Sequence, residues 1–319
     1  MRIRIDATLV TTCAWLIWLF FFGSLHQGLA QDSPASVQEK RTDDSALGSG
    51  LEGVRDRPVI KQFGAQPLTP EEQEEATRLS TIAAKMGTDP TAIIGRVQTL
   101  FRHDALEGGN RVSNNLVGRL DVPFHKNFLL RADLPYVWSH PNQLGTSNQG
   151  SSNQSGISDL LVRAGGRVYS VPGDAIFAGV DFTFPTAEGT LGTGKYTVGP
   201  GIATAHVFPA WRSIFYMLLQ HQFSVGGNPS RNDISASKIQ TWFNTIWADH
   251  WWTQLEAVIQ VDWERKETTS GTLEFEGGYR LTKDWSTWVR PGVGLWGQNL
   301  PGAYDWNIEV GIRRTFDGF

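Results

Sequence analysis

The chain has 319 residues, with 28 Lys and Arg against 32 Asp and Glu and a formal net charge of −4. That mild acidity argues against nucleic acid as a partner, which requires a basic surface, and a single cysteine excludes an internal disulfide. Thirteen Trp and 34 Gly stand beside a negative mean hydropathy, and beyond residue 30 no apolar run reaches the roughly 20 residues of a membrane-spanning helix.

At the N-terminus, Arg2 and Arg4 precede a short apolar run from Ala14 to Leu25, and Gly28-Leu29-Ala30 sets small residues before Gln31. This is the order of a secretory signal peptide over residues 1–30. Cys13, the only cysteine, precedes the apolar run, so no lipid anchor is expected and the exported chain keeps no thiol. Residues 31–66 are polar and rich in Ser, Asp, Gly and Pro, the composition of a disordered periplasmic tail. Thr69-Pro70-Glu71-Glu72 then predicts a helix over 69–87, with a cap, a proline in the first turn, acidic residues at the positive dipole end and Gly87 as terminator. The domain reading is a signal peptide (1–30), a tail carrying the helix (31–90) and a barrel (91–319). Whether the helix enters the barrel or lies in the periplasm stays open.

From about residue 91 the periodicity is two. Leu255, Ala257, Ile259, Val261 and Trp263 alternate with Gln254, Glu256, Gln260, Asp262 and Glu264. Near the end, Trp306, Ile308, Val310 and Ile312 alternate with Asn307, Glu309, Gly311 and Arg313. A strand with one face in lipid and one in water has this pattern. The predicted strands are 94–102, 111–122, 126–138, 156–169, 174–186, 195–208, 212–225, 233–248, 251–264, 270–282, 284–296 and 304–316. The fold class is therefore all-β, a transmembrane antiparallel β-barrel of about twelve strands with a disordered N-terminal tail and one short helix.

Connections sort by parity. Those after even strands are tight: Pro123-Phe124-His125, Val171-Pro172-Gly173, Pro209-Ala210-Trp211, Asp249-His250 and Lys283-Asp284. Those after odd strands are mostly longer and polar, the longest running from His140 to Ser155. Short turns on one side and long loops on the other belong to outer-membrane barrels, with the short turns periplasmic. Phe124, Phe208, Trp211, Trp251 and Trp285 would form one interfacial girdle in outer-membrane lipid. The C-terminal strand, ending on Phe316 and Phe319, fits a signal for the barrel assembly machinery.

Ala132-Asp133-Leu134-Pro135-Tyr136, Gly156-Ile157-Ser158-Asp159-Leu160 and Phe184-Pro185-Thr186-Ala187, followed by Leu191-Gly192-Thr193-Gly194-Lys195 and Gly199-Pro200, together resemble the outer-membrane transporter family named for the meta-pathway of phenol degradation. The resemblance runs from about Asp89 to the C-terminus and is most specific in the PTA…LGTGK loop. It implies an outer-membrane barrel that moves small, aromatic or hydrophobic compounds, and it brings no catalytic residues.

The lumen-lining candidates are Arg131, Asp133, Asp159, Arg163, Asp181, Glu256, Asp262, Glu274, Glu276, Arg280, Arg290, Glu309 and Arg313, all of the polar phase. They fit either a cross-strand salt-bridge lattice that fills a small lumen or charge rings that tune a water-filled pore. The loop residues Pro185, Thr186, Leu191, Gly192, Thr193, Gly194 and Lys195 contain Gly189-x4-Gly194-Lys195, a superficial phosphate-loop match. Tyr196 stands where Ser or Thr must reach Mg²⁺, so a tight glycine turn is the better reading. No cofactor and no metal are expected, since no His or carboxylate spacing favours a metal site. His221 and Ser224 point to opposite faces, His206 has Thr204 on its face and no acid beside it in sequence, and Asp249-His250 falls in a turn; cross-strand partners stay open. The expected function is a passive conduit for a small-molecule solute and not an enzyme. The alternatives are a structural or adhesive barrel with its lumen closed by Trp242, Trp288 and Trp296, and third an embedded hydrolase.

Overall fold

The computed structural model describes residues 68–106, 108, 111–141, 154–189, 191–298, 300 and 302–317. The signal-peptide and tail readings over 1–66, the tip of the 140–155 loop and Phe319 lie outside the described residues.

Helix α1, Pro70–Met86, begins as its sequence dictates. The Thr69 hydroxyl accepts from the Glu72 amide at 3.3 Å while the Glu72 carboxylate accepts from the Thr69 amide at 2.8 Å, a reciprocal capping box. Gly87 ends it at φ 74°, a left-handed position that costs glycine nothing. Ala76, Leu79, Ile82, Ala83 and Met86 form its buried stripe, the spacing of one helical face.

Thirteen strand segments follow: β1 Gly95–Leu106, β2 Arg111–His125, β3 Phe128–Pro141, β4 Gln154–Ile157, β5 Leu160–Val171, β6 Asp174–Phe184, β7 Lys195–Phe208, β8 Ser213–Gly227, β9 Ser235–Ala248, β10 Trp251–Asp262, β11 Thr268–Arg280, β12 Trp285–Trp296 and β13 Trp306–Phe316. β4 and β5 lie one after the other along β3, so they are one wall strand interrupted at Ser158-Asp159. The wall is a closed antiparallel barrel of twelve strands, because β1 pairs with β2 on one side and with β13 on the other. Among the described residues every full-length wall strand pairs on both sides, and only the short β4 pairs on one side alone, with β3.

The predicted strand ends agree with these within four residues, and the parity of the connections holds. One turn is displaced. β2 runs through Pro123-Phe124 to His125, and the chain reverses at Lys126-Asn127. A register shift between Pro123 and His125 absorbs the proline, which has no amide hydrogen to give to the ladder.

Side chains divide as the period of two requires. Leu116, Leu120 and Val122 on β2, Leu130, Leu134 and Tyr136 on β3, and Ile308, Val310 and Ile312 on β13 are exposed on the outer face. Asp121, Glu276, Glu309 and Arg313 are buried on the inner one. This inverts the usual partition between core and surface. The outer apolar band far exceeds what a soluble monomer leaves uncovered and suits hydrocarbon. At the short-turn end, exposed Phe124, Trp211, Trp251 and Trp285 form the expected girdle, with Phe208 stacked on Trp211 at 5.4 Å.

Candidate functional site

The lumen has three levels, and the lowest belongs to α1. Its apolar stripe packs against inward side chains of the wall, among them Val207, Ile214, Tyr216, Ile246, Trp252 and Trp288. The helix is thus seated inside the short-turn end of the barrel, which settles the question the sequence left open. Its last carbonyls have no partners within the helix, and the wall supplies them. Thr315 donates to the Lys85 carbonyl at 3.0 Å, Ser286 to that of Met86 at 3.2 Å, and Arg96 to that of Gly87 at 3.1 Å. Arg313 also donates to the Gly87 carbonyl, and its guanidinium lies 3.9 Å from the Trp288 ring centroid, a cation–π contact. Both arginines stand at the negative end of the helix dipole.

Midway along α1, Arg78 contacts Glu75 at 2.7 Å and Asp249 at 3.1 Å, and Arg212 contacts Asp249 at 3.1 Å and Glu75 at 3.4 Å. The Arg78 hydrogen bond holds the Glu75 carboxyl below its usual range. For Asp249, burial pushes the other way, but hydrogen bonds from Arg78 and Arg212 prevail and its pKa is also lowered. Just past the helix, Asp89 is buried and accepts from the amide and hydroxyl of Thr91, both at 2.7 Å. Burial pushes its carboxyl up.

Above the helix lies a chamber of about 300 Å³ with Gly87, Thr88 and Pro90 in its lining. Its charges form two half-walls. On β1, β2, β3, β5 and β6 the pairs are guanidinium–carboxylate forks: Arg119 on Asp133 at 2.8 and 2.7 Å, Arg131 on Asp121 at 2.7 and 3.0 Å, and Arg163 on Asp181 at 2.5 and 2.8 Å. Each fork joins residues directly opposite in the ladder, so strand register dictates the pairing. Arg96 adds a second cation to Asp121 at 3.1 Å.

The half-wall on β10 to β13 is acidic. Arg290 stands among four glutamates: it pairs closely with Glu276 and reaches Glu256 at 3.5 Å, Glu274 at 3.6 Å and Glu309 at 3.7 Å. Indole N–H groups hold three of these in place: Trp242 donates to Glu256 at 2.7 Å, Trp252 to Glu276 at 2.6 Å and Trp288 to Glu309 at 2.8 Å. Tyr304 and Asn307 donate to Glu274 at 2.6 and 2.9 Å. Trp242 and Trp288 therefore brace the acidic wall, while Trp296 donates to Thr269 at 3.2 Å on its own side of the barrel. Removing one member of such a buried network strands its partners at a cost of roughly 3–5 kcal/mol.

The predicted residues Arg131, Asp133, Arg163, Asp181, Glu256, Glu274, Glu276, Arg290, Glu309 and Arg313 all belong to this inner lattice. Three others have the inward phase but sit at strand ends. Arg280 bonds the carbonyls of Thr282 and Asp249 beside the short turns. Asp262 accepts from the amides of Glu264 and Arg265 and caps the β10–β11 turn. Asp159, in the break between β4 and β5, accepts from Thr193 N at 2.6 Å, Thr193 Oγ1 at 2.7 Å and Ala187 N at 3.3 Å.

Asp159 thereby gathers the segments of the most specific sequence pattern. Thr186 Oγ1 donates to the Ser158 carbonyl at 3.0 Å, and Ser158 donates to that of Leu191 at 2.7 Å. Pro185 continues from the end of β6 in this same loop, and Gly192 lies so close to the Asp159 carboxylate that no side chain fits there. Gly194, at φ 71°, leads into Lys195, whose ammonium bonds Asp233 at 2.8 Å. Among the described residues of this loop the Ala187 and Thr193 amides are already bonded to Asp159.

A mouth of about 940 Å³ opens at the long-loop end, lined by Arg102, Asp104, Arg111, Arg265 and Tyr304 among others. A third cavity, of about 490 Å³, lies beside α1 at the short-turn end. Sequence reading missed Arg96, Arg102, Asp104, Lys238 and Trp252 as inner residues, although each has the inward phase of its strand. Among the described residues no group of His, Cys, Asp and Glu could hold a metal ion. His221 meets Ser237 across the β8–β9 pair at 2.9 Å, a contact its neighbours in sequence could not reveal. The same hydroxyl accepts from Trp263 at 2.9 Å, and among the described residues no carboxylate orients the ring as a nucleophile's base requires.

No family model and no curated protein matches the sequence. Among solved structures, an outer-membrane channel from Pseudomonas putida F1 is similar over 70% of this chain and 95% of its own, with 14% identity and a TM-score of 0.57. That likeness shows the fold. The NanC porin (8% identity, 70% of this chain and 100% of its own, TM-score 0.47) and the KdgM porin (12%, 69% and 99%, TM-score 0.45) are looser likenesses.

Proposed function

We propose that this chain is an outer-membrane channel through which small solutes pass down their gradient. The observation that carries the reading is a closed wall, apolar outside and charged inside, around a mouth, a mid-lumen chamber and a cavity beside α1. No energy source is required. A solute is filtered by width and by weak contacts at several sites along charged and aromatic walls. Export through the residue 1–30 signal, delivery by the barrel assembly machinery through the C-terminal strand, and a periplasmic tail over 31–66 complete the reading. The motif resemblance favours a member of the phenol meta-pathway transporter family and hence small aromatic or hydrophobic solutes.

The second reading, a structural barrel with a closed lumen, draws on a specific observation: α1 fills the short-turn end with its buried stripe. Single-channel recording of the full chain in a planar bilayer separates the two. Discrete conductance steps support the conduit. Silence from the full chain but steps after deletion of residues 31–87 identifies a plugged conduit, and silence from both forms, each inserted, establishes the structural barrel.

A further inference from the structure

One inner charge stands apart from the lattice. Lys238, on the inward phase of β9 with Gln240 and Trp242, lines the mid-lumen chamber. Among the described residues its ammonium makes no hydrogen bond and no ion pair. Asp181 and Glu256, carboxylates that line the same chamber, are held by other donors. Asp181 takes a fork from Arg163 and a bond from Gln220 at 2.8 Å. Glu256 takes Gln240 at 2.5 Å and Trp242 at 2.7 Å.

The wall beside Lys238 is recessed. In register across the ladder come Gln220, Gly201 and Gly179, so two successive positions carry no side chain. The next row towards α1 is Gln240, Leu218, Ala203 and Phe177. The Phe177 ring folds over Gly179, where an added Cβ would come within 2.9 Å of it. An unpaired cation thus overlooks an apolar floor in a chamber of about 300 Å³, at the lower end of the size of ligand pockets.

A cation in a site of reduced dielectric gains most from an anion that reaches it, and here the anion must come from the solute. The neighbouring Arg163 fork is already closed on Asp181, so the free recognition is one point charge, suited to a carboxylate. An inorganic anion would leave the floor unused. We propose that Lys238 binds the carboxylate of a small amphipathic organic anion, an aromatic or short-chain monocarboxylate, whose apolar part lies on Phe177, Leu218 and Ala203. This rests on the conduit reading and names the solute class for it.

Benzoate, benzyl alcohol and formate titrated calorimetrically into the full chain in detergent test the site without requiring conduction. Benzoate is expected to bind at least about tenfold tighter than benzyl alcohol, the worth of one charge-assisted hydrogen bond. Lys238→Gln should erase that preference and Lys238→Arg should keep it, with both variants checked for heat-modifiable gel mobility. Equal affinity for benzoate and benzyl alcohol, a preference that survives Lys238→Gln, or formate matching benzoate would each overturn the assignment. Bilayer currents separate the layers: a conducting chain without benzoate preference sinks the subsite and keeps the conduit. A silent chain with lysine-dependent binding does the reverse.

Discussion

The two ends of the barrel are held by opposite strategies. At the short-turn end the partners are far apart in sequence: α1, from before the first strand, is clamped by Arg212, Asp249, Ser286, Arg313 and Thr315. At the long-loop end the wall's own connections supply the order, with Asp159 fastening a loop that begins at Pro185 and Asp262 capping its own turn. The difference teaches that one end is occupied by an added element that is no part of the wall's ladder. The other is shaped by the wall's own connections.

Deleting residues 31–87 should break this contrast most severely. It uncovers Tyr216, Ile246, Trp252 and Trp288 and removes the burial of Leu79 and Met86, each worth roughly 1.5–3 kcal/mol. Bilayer recording should show a several-fold larger unitary conductance, and an unchanged value would mean that α1 does not obstruct the lumen. Next in size, Leu79→Ala empties a fully buried position at about 2–5 kcal/mol. Limited proteolysis should then cut within 70–86 while the heat-modifiable barrel persists.

Asp159→Ala should act only at the opposite end. It leaves the Thr193 and Ala187 amides without their acceptor, about 1–3 kcal/mol of local order, and exposes the 185–194 loop to protease without freeing α1. Because the two sites share no partner, the Leu79 and Asp159 effects should add; a measured coupling would refute the independence of the ends. The smallest effect belongs to Arg78→Ala, whose partners are half exposed, for which screening leaves no more than about 1 kcal/mol.

The same clamp sets a pH dependence. Glu75 and Asp249 have pKa values lowered in the folded state, so their contribution is complete above the ordinary carboxylate range. It is lost as pH falls through their folded values. Acidification from pH 5 towards 3 should therefore speed proteolysis of the helix, and Arg78→Ala should flatten that profile. An equally steep profile in the variant would assign the dependence to other groups.

The wall was legible in sequence because lipid outside and charge inside force a strict alternation; β13 and β10 show it at nearly every position. β9 was harder to read. Its outward face mixes Ser235, Ser237, Thr241 and Thr245 with Ile239 and Phe243, which blurs the contrast and hid Lys238. Trp252 went unnoticed among inner residues because an indole looks like a girdle side chain until its N–H is seen on Glu276. The limits of α1 were legible from its caps, but its seat was not, since Ala76, Leu79, Ala83 and Met86 would make the same stripe against any apolar surface. Phase also could not say how far along a strand a charge sits, and that distance separates Asp159, Asp262 and Arg280 from the lattice.

The seam where β1 meets β13 joins the first and last of the described strands. The C-terminal end of α1 is fastened to both flanks of that seam, through Arg96 on β1 and through Arg313 and Thr315 on β13. Without β13 the helix has only part of its berth, because two of the three side chains that bind its C-terminal carbonyls at this seam belong to that strand. One eleven-residue strand therefore both closes the wall and completes the seat of the helix.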